Sequence, residues 1–492
     1  MKKNFLHIIP AAFFSLSLLT ACGNADTEET TLVTIERTER ETGISYTLPE
    51  EESSMTGTQP FSEVYTETSV GSAEISVPDI MTERHTAEVS EVITDSEENN
   101  ITVSARNLLS SEGGSNISEV LPSEELQTAS VEAVYSGKYH ALNYPVQSGM
   151  WFSYLEYDRV MKGQNKEEFT RLVEEAFDNM VSIGVNTVYV HLRPFGDAYY
   201  DSDIFPRGDR LTGSYDPLEI MVKAAHDRGL SIHGWINPMR LMTDSSMKSL
   251  SNTYIIKQWY DSGKNMYEYD SRWYLDPSSG EVRELICSGV REIISKYNVD
   301  GIQIDDYFYP TADLDWDIKS YENSDKALSH GDFRRNAVTE MVKGIYRAVH
   351  SENSSAVFGI APSGNAEADY STLYADVELW CGSSDCCDYI CPQIYYGLEH
   401  ESYPFEETLV YWKNMCCADV STVAGIAAYK AGQTDNYAGR GKNEWIDNSD
   451  IVWREMETAK KYGCGTALFR YDSLFETKGA AEKELEAIKV NK

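Results

Sequence analysis

Two hydrophobic patterns take turns along the chain from about residue 146 onward. Short runs in which every second residue is apolar alternate with longer segments of helical period. The short runs predict eight strands: Trp151–Tyr154, Asn186–Arg193, Leu230–Asn237, Asp300–Asp306, Ala356–Pro362, Tyr389–Tyr395, Val423–Tyr429 and Thr466–Tyr471. Eight strands separated by helices are typical of an α/β fold, the (β/α)8 or TIM barrel. We assign residues 141–492 to this barrel.

The period of two in the strands also predicts which side chains point into the barrel. Val188, Val190 and Leu192 share one face that suits covering helices, and the isoleucines of the later strands do the same. The opposite face gives the inward set: Tyr189, His191, Arg193, His233, Trp235, Asn237, Gln303, Asp305, Cys391, Gln393, Tyr395 and Arg470. Polar and aromatic members gather near the carboxyl ends of the strands, where TIM-barrel enzymes place their active sites.

The first 22 residues differ from the rest. Lys2 and Lys3 precede an apolar run that ends in Leu19-Thr20-Ala21-Cys22, which is too short for a convincing membrane span and predicts a secretory signal. The ending resembles a bacterial lipobox, which implies lipidation of Cys22 and a membrane anchor outside the cytoplasm. The alternative is an ordinary signal peptide with a chance cysteine.

Residues 23–140 are acidic and rich in Ser, Thr and Glu. Residues 26–130 hold 23 acidic and 4 basic side chains and no Trp or Cys. This composition predicts a disordered, self-repelling linker, which as a flexible coil of n residues would reach about 5–6 Å × √n. A small β-domain is the alternative, but apolar alternation is never sustained there.

The overall charge narrows the class of partner. The formal net charge of −37 repels phosphate backbones, so we expect no nucleic-acid partner. We also expect the protein to be a monomer. The sequence has no phosphate loop, dinucleotide fingerprint or nucleophile elbow, so no cofactor is predicted.

Paired carboxylates at the end of the fourth strand point to glycoside hydrolysis. That reaction uses two carboxyl groups, one as acid and one as base or nucleophile. Asp305 and Asp306 are the predicted catalytic pair, although adjacent strand residues point in opposite directions. Glu156, Asp197 and Glu378 are therefore alternative second carboxylates.

The remaining lining suits a sugar polymer, because aromatic faces stack on sugar rings while polar side chains bind hydroxyls. We predict stacking by Trp235, Tyr307 and Tyr395, and hydrogen bonds from a polar set: His191, Arg193, Asp197, Asn237, Gln393 and Arg470. Each of these residues could instead have a structural role.

Six of the nine cysteines crowd into fewer than 40 residues: Cys381, Cys386, Cys387, Cys391, Cys416 and Cys417. Their spacing lacks the paired Cys-x-x-Cys pattern of structural zinc, so no metal site is predicted. The sequence leaves two alternatives for these cysteines: one or two local disulfides, or buried free thiols.

Several long motifs in the barrel resemble the glycosyl hydrolase-like 10 family. They are Val190-His191-Leu192-Arg193-Pro194-Phe195-Gly196-Asp197-Ala198-Tyr199-Tyr200, Ile204-Phe205-Pro206, Tyr215-Asp216-Pro217-Leu218, Gly234-Trp235-Ile236-Asn237-Pro238, residues 299–310 from Val299 to Pro310, and Pro392-Gln393-Ile394-Tyr395. The resemblance covers about residues 146–472. It implies a TIM-barrel glycosidase of the bacterial envelope, often lipid-anchored, with peptidoglycan glycan strands that lack stem peptides as a substrate class.

The fourth strand is also similar to the Asp-Gly-x-Asp-x-Asp-x-Glu motif of family 18 chitinases. Aligned on Asp300-Gly301, the chain has Gln303 in place of the second Asp and Tyr307 in place of the acidic Glu. The family 18 mechanism is therefore not carried over, and substrate-assisted chemistry through an N-acetyl group stays open.

Two other classes of function compete with the glycosidase. One is a non-catalytic glycan-binding lipoprotein with the same lining. The other is a metal-dependent polysaccharide deacetylase or amidohydrolase that uses His191, His233 and Asp305.

Overall fold

The computed structural model describes residues 139–492 and two short strands before them. These strands, β1 (Tyr46–Thr47) and β2 (Val64–Tyr65), pair antiparallel with Tyr46 opposite Tyr65, within the predicted linker. The predicted leader, Cys22 and the rest of the predicted linker lie outside the described residues. In the described part, no helix combines the length and the apolar character that crossing a membrane would require.

Eight parallel strands close into a barrel in chain order, and each overlaps one of the predicted runs. They belong to the following set, in which β6 to β8 are an insertion: β3 (Ser148–Phe152), β4 (Thr187–Arg193), β5 (Ser231–Ile236), β6 (Arg240–Thr243), β7 (Met266–Tyr269), β8 (Arg272–Leu275), β9 (Gly301–Ile304), β10 (Val357–Ile360), β11 (Tyr389–Ile390), β12 (Ser421–Ile426) and β13 (Gly465–Leu468). The TIM-barrel prediction is confirmed.

The first barrel strand begins three residues earlier than its apolar run predicts. Its second residue is Gly149, and a Cβ built there would lie 2.5 Å from Cε2 of Tyr189. The strand therefore starts at a position where only glycine leaves room for the tyrosine ring of the neighbouring strand, which hydrophobicity alone does not show.

Helices follow the barrel strands and cover them. Their bounds are α1 (Tyr157–Val160), α2 (Lys166–Ser182), α3 (Pro217–His226), α4 (Asp244–Ser249), α5 (Ile255–Ser262), α6 (Gly280–Lys296), α7 (Ile318–Glu322), α8 (His330–Glu352), α9 (Ala366–Ser371), α10 (Val377–Cys381), α11 (Phe405–Met415), α12 (Glu444–Asp447), α13 (Ile451–Lys461), α14 (Tyr471–Phe475) and α15 (Ala480–Asn491). The fifth barrel strand is followed only by the short helices α9 and α10, so the chain passes quickly from β10 to β11.

An antiparallel sheet of three strands is inserted after the third barrel strand. Its order is β6-β8-β7, and its first strand begins with Arg240, four residues after β5 ends. Because barrel loops after a strand open at the carboxyl end, this small sheet lies on the face that carries the site.

The barrel interior holds a compact set of side chains: Trp151, Tyr189, Trp235, Ala361, Tyr389, Cys391, Val423 and Ala467. The aliphatic residues that were predicted to face outward, such as Val188, Val190 and Ile302, belong to the separate core under the helices. The predicted directions of Tyr189, Trp235 and Cys391 are therefore confirmed.

The inward direction predicted for Arg193 is wrong. The pairing of β4 with β5 shifts register between His191 and Arg193, so Arg193 pairs with Ile236, a residue of the outer core. Its guanidinium is fully buried, 3.6 Å from the centre of the Phe205 ring, and a Cβ on Gly289 of α6 would lie 2.6 Å from Nη1. A bulge reverses the alternation of side chains, and here it turns Arg193 toward a covering helix.

Asp300 organises the amino-terminal end of the barrel. Its fully buried carboxylate accepts hydrogen bonds from the Tyr139 hydroxyl and the Leu142 amide, both at 2.6 Å. It also accepts from Nε2 of His226 at 2.9 Å and from the Ile232 amide at 2.8 Å. The segment from Tyr139 is therefore fastened to the base of the barrel.

All eight described cysteines are free thiols. Cys381, at the end of α10, and Cys416, just after α11, form a thiol hydrogen bond that lowers the pKa of Cys416. The Cys417 amide donates to the Cys381 carbonyl at 2.9 Å, and Oγ1 of Thr422 donates to Sγ of Cys416 at 3.4 Å. These contacts hold two thiols together at one edge of the barrel.

We expect mild oxidation with glutathione disulfide to link Cys381 to Cys416 in preference to other pairs. The stabilised Cys416 thiolate attacks the reagent and releases one glutathione, and Cys381 then displaces the second. Peptide mapping under non-reducing conditions checks this, with Cys381→Ser as the control that leaves Cys416 in a mixed disulfide. A bridge between other cysteines would contradict the assignment.

Candidate active site

Asp305 lies just beyond β9 and is buried, with 3% of its surface exposed. Oδ2 accepts a hydrogen bond from Nε1 of Trp235 at 3.0 Å, and Oδ1 accepts from the Tyr307 amide at 3.3 Å. Burial, with the charge of Asp306 as the second cause, raises the pKa of Asp305 well above its usual range. The structure thus favours a protonated carboxyl group at this position.

Asp306 is the more accessible of the two and is half-buried. Burial raises its pKa, while a hydrogen bond from the Gln393 side chain and the charge of Arg240 oppose that rise. The Gln393 amide is itself held by a bond from Nε2 to the Ala361 carbonyl at 3.0 Å. The two neighbouring carboxyl groups therefore have different surroundings, which separates their pKa values and allows one to be an acid while the other is ionised.

His191, Trp235 and Asn237 form a packed group beside the pair. The rings of His191 and Trp235 stack 3.5 Å apart at 14°, and Nε2 of His191 lies 2.9 Å from Oδ1 of Asn237. Burial lowers the pKa of His191 well below its usual range, so its ring is neutral. Among the described residues, Nδ1 of His191 and Nδ2 of Asn237 have no hydrogen-bond partner. Buried polar atoms without a partner are rare in folded proteins, and these two lie next to Trp235, the residue that donates to Asp305.

Trp235 fixes a catalytic candidate as well as packing on His191. Its indole is only 6% exposed and its one donor is used by Asp305. Trp235 therefore donates a hydrogen bond within the site. The sequence predicted only that it stacks on substrate.

Arg240, the first residue of β6, is the neighbour that sequence reasoning missed. Its guanidinium lies 4.2 Å from the centre of the Tyr307 ring and 4.8 Å from that of Phe195. Its positive charge lowers the pKa values of both Asp305 and Asp306. Arg240 is 3% exposed, so the charge acts in a dry environment where Coulomb interactions are strong.

Three other predicted contact residues, Asp197, Tyr395 and Tyr307, are partly or fully buried. Asp197 is buried, its carboxylate accepts from the Phe195 amide at 2.9 Å, and burial raises its pKa to about 6. Tyr395 is 6% exposed and packs edge-on against Tyr429. Tyr307 is half-buried beneath Arg240.

Arg470 and Glu156, two of the predicted site residues, form an ion pair with each other. Nη1 of Arg470 donates to Oε1 of Glu156 at 2.5 Å, and the same carboxylate accepts from the Ser153 and Asp472 amides. The Glu156 carboxylate is fully buried, and its bond to half-buried Arg470 links the segments that follow the first and the last barrel strands. The other alternative carboxylate, Glu378, lies on α10 and is exposed.

His233 belongs to the opposite end of the barrel from Asp305. It pairs with Gly301, four residues before Asp305, which at the usual rise of a strand is about 13 Å. Its ring nitrogens are hydrogen-bonded to Tyr389, Ser231 and Asn143, and burial lowers its pKa to about 4. Within residues 139–492, no group of three His, Cys, Asp or Glu side chains is arranged to hold a metal ion.

Sequence comparison finds relatives over most of the barrel. The model of a family described as glycosyl hydrolase-like 10 matches residues 149–445. The chain is 29% identical over 341 residues to Glycosyl hydrolase DigH of Escherichia coli (strain K12), a match that covers 61% of this chain and 75% of that protein. It is 32% identical over 325 residues to Glycosyl hydrolase YngK of Bacillus subtilis (strain 168), which covers 60% of this chain and 62% of that protein.

Among solved structures, the glycoside hydrolase domain of PgaB (BpsB) from Bordetella bronchiseptica matches with a TM-score of 0.47 and 10% identity, over 70% of this chain and 99% of that domain. The family match spans all the barrel strands but the last and includes Asp305 and Asp306. The chain therefore belongs to the glycosyl hydrolase-like 10 family and is a glycoside hydrolase.

Proposed function

We propose that this glycoside hydrolase is a lipid-anchored enzyme of the cell envelope that hydrolyses peptidoglycan glycan strands lacking stem peptides. The observation that carries the catalytic part is the carboxyl pair at the carboxyl end of β9, in which Asp305 is buried with a raised pKa and Asp306 is more accessible. Barrel enzymes use this end for catalysis.

In this proposal the two carboxyl groups have different roles. Protonated Asp305 donates its proton to the oxygen of the scissile glycosidic bond as that bond breaks. Ionised Asp306 either removes a proton from the water that attacks the sugar carbon, or attacks that carbon itself. In the second case a water molecule, deprotonated by Asp305, then hydrolyses the glycosyl ester and frees Asp306. The Gln393 amide holds the Asp306 carboxylate in place.

Substrate hydroxyl groups complete the hydrogen bonding of the neighbouring polar atoms. Nδ1 of His191 and Nδ2 of Asn237 are buried beside the pair and are the atoms that we propose to bind the sugar. Tyr307, whose amide donates to Asp305, and Tyr395, which packs on Tyr429, are the aromatic rings that we propose to contact the sugar. Asp197 and Arg470 are further sugar contacts in this proposal, although the Arg470 guanidinium also holds Glu156.

Arg240 gives a pH-dependent test of the pair. Arg240→Met removes a positive charge that lowers the pKa values of both Asp305 and Asp306, so we expect both values to rise and the profile of kcat/KM to move to higher pH. Arg240→Lys keeps the charge and serves as the conservative variant. Arg272→Met is the matched control, because it removes another arginine that packs on the same Phe195 ring, with its guanidinium 4.4 Å from the ring centre. If Arg240→Met did not move the pH profile of kcat/KM, the charge of Arg240 would not control the carboxyl pair.

The envelope location rests on Leu19-Thr20-Ala21-Cys22 and the acidic linker after it. Metabolic labelling of cells with tritiated palmitate tests the anchor. We expect label and membrane fractionation for the natural chain and loss of both for Cys22→Ala. Equal labelling of the two proteins would overturn the anchor and would leave the catalytic proposal standing.

A panel of polysaccharides tests the substrate. Purified protein is incubated with peptide-free peptidoglycan glycan, intact sacculi and chitin oligomers, and products are identified by mass spectrometry. We expect saccharides from the first substrate alone. Products from chitin only would assign a different polysaccharide, and binding without products would favour a non-catalytic glycan-binding protein.

A further inference from the structure

Tyr403 is an exposed aromatic side chain that is held rigidly at the active-site rim. It lies between β11 and α11 and is 39% exposed. Its ring stacks on Tyr396, with ring centres 5.2 Å apart at 28°, and Tyr396 is itself 5% exposed. One ring is therefore anchored in the protein while the other is presented to solvent.

Polar contacts fix the position of Tyr403 further. Nδ2 of Asn365 donates to the Tyr403 hydroxyl at 3.2 Å, and the Tyr403 amide donates to Nδ1 of His400 at 3.0 Å. The His400 ring packs on Tyr396 with centres 5.0 Å apart. A surface tyrosine normally loses side-chain entropy when it binds a ligand, and these contacts remove most of that cost in advance.

A chain of contacts connects the Tyr403 ring to the catalytic pair. The Gln393 side chain binds Asp306, and Gln393 forms an isolated parallel bridge with Ser363. A Cβ on the next residue, Gly364, would lie 2.5 Å from the Gln393 carbonyl oxygen and 2.9 Å from the Tyr396 ring. The loops that carry Asn365 and Tyr403 follow β10 and β11, and so open on the same face as Asp305 and Asp306.

We infer that Tyr403 is a sugar-stacking platform that binds a ring of the glycan at a distance from the bond that is cut. The inference deepens the proposed function and rests on it, because it assigns an extended polymer as the ligand. The exposed aromatic face packs on the apolar face of a pyranose ring, while the ring hydroxyls stay in water. Trp235 and Tyr395, at 6% exposure each, offer much less surface for such stacking.

The chain provides a matched control in Tyr411. It is 59% exposed and lies on α11, a helix that covers the barrel rather than the rim. Tyr411→Ala therefore removes a surface tyrosine of equal size from a different face. Tyr403→Phe keeps the ring while it removes the hydroxyl that Asn365 contacts.

The experiment uses the full chain with Asp306→Asn, which slows turnover, as the parent protein. Its binding to peptide-free peptidoglycan glycan and to chitohexaose is measured by isothermal titration calorimetry. We expect Tyr403→Ala to weaken binding of the longer glycan roughly fivefold to tenfold, and Tyr411→Ala to leave it unchanged. Tyr403→Phe keeps the stacking ring and loses only the bond from Asn365, so it should weaken binding less than Tyr403→Ala does. Circular dichroism confirms that each variant is folded.

Unchanged affinity in Tyr403→Ala, or an equal loss in Tyr411→Ala, would overturn the platform. If the wild-type chain still released saccharides from the glycan, the proposed function would survive that result. If the Asp306→Asn protein bound neither glycan and the wild-type chain released no product, the proposed function and the Tyr403 platform would both be overturned.

Discussion

Replacing Asp305 or Asp306 by Asn is expected to lower kcat on peptide-free glycan by roughly 100-fold to 10,000-fold, the usual contribution of a positioned acid or base. The amide introduced by Asp305→Asn cannot protonate the leaving oxygen, and the amide introduced by Asp306→Asn cannot carry the negative charge that the reaction needs. Initial rates from reducing-end assays check both variants.

Both variants should fold like the natural protein. Burial raises the pKa of each carboxyl group, so an ionised form is costly in the folded state and a neutral amide of the same shape avoids that cost. We expect Tm to stay the same or rise. Asp227→Asn, at an exposed position after α3, is the matched control and should keep full activity. Natural rates in both Asp305→Asn and Asp306→Asn would show that the assignment is wrong.

Replacing Asp300 by Ala is expected to lower the free energy of unfolding by roughly 3–5 kcal/mol. The change leaves the Leu142 and Ile232 amides, the Tyr139 hydroxyl and His226 without the acceptor that they share at the base of the barrel. Urea unfolding followed by tryptophan fluorescence checks the loss.

Tyr139→Phe is the control for this prediction, because it keeps the ring and removes only one of the four hydrogen bonds to Asp300, together with the contact of the hydroxyl with Nε2 of His226 at 3.0 Å. We expect it to cost about 0.5–1.5 kcal/mol. If Asp300→Ala were no more destabilising than Tyr139→Phe, the carboxylate would not be the anchor of the amino-terminal segment.

The barrel was predictable because apolar residues recur at every second position of its strands, with segments of helical period between them. Alternation correctly turned Tyr189, Trp235 and Cys391 inward. It failed at Arg193, because a register shift after His191 reverses the following side chain and leaves no signal in the order of apolar residues. The space for Arg193 comes from Gly289, which only the packing of α6 reveals.

The candidate site was predictable in its strand residues and not in its loop residues. Asp305, Asp306 and Gln393 follow from strand ends that meet at one face of a barrel. Arg240 and Tyr403 reach the same rim from an inserted sheet and a connecting loop, whose paths depend on tertiary contacts. Arg240 stands in a short apolar run after Pro238, outside the eight predicted strands, and it begins β6, which pairs with β8.

The partners of individual side chains also lay beyond the sequence. Trp235 was expected to stack on substrate, yet its indole nitrogen donates to Asp305. Arg470 and Glu156 are 314 residues apart in the chain and join only because the first and last strands of the barrel are neighbours. Closure of the barrel, and not local pattern, creates such pairs.

Hydrolysis in water enriched in oxygen-18 is the most direct test that the carboxyl pair breaks glycosidic bonds. Peptide-free glycan is incubated with the wild-type chain, Asp305→Asn and Asp306→Asn, and the products are weighed by mass spectrometry. The account predicts reducing saccharides that carry one oxygen-18 atom at the new end, from the wild-type chain alone. Anhydro products without oxygen-18, or equal product from all three proteins, would contradict it.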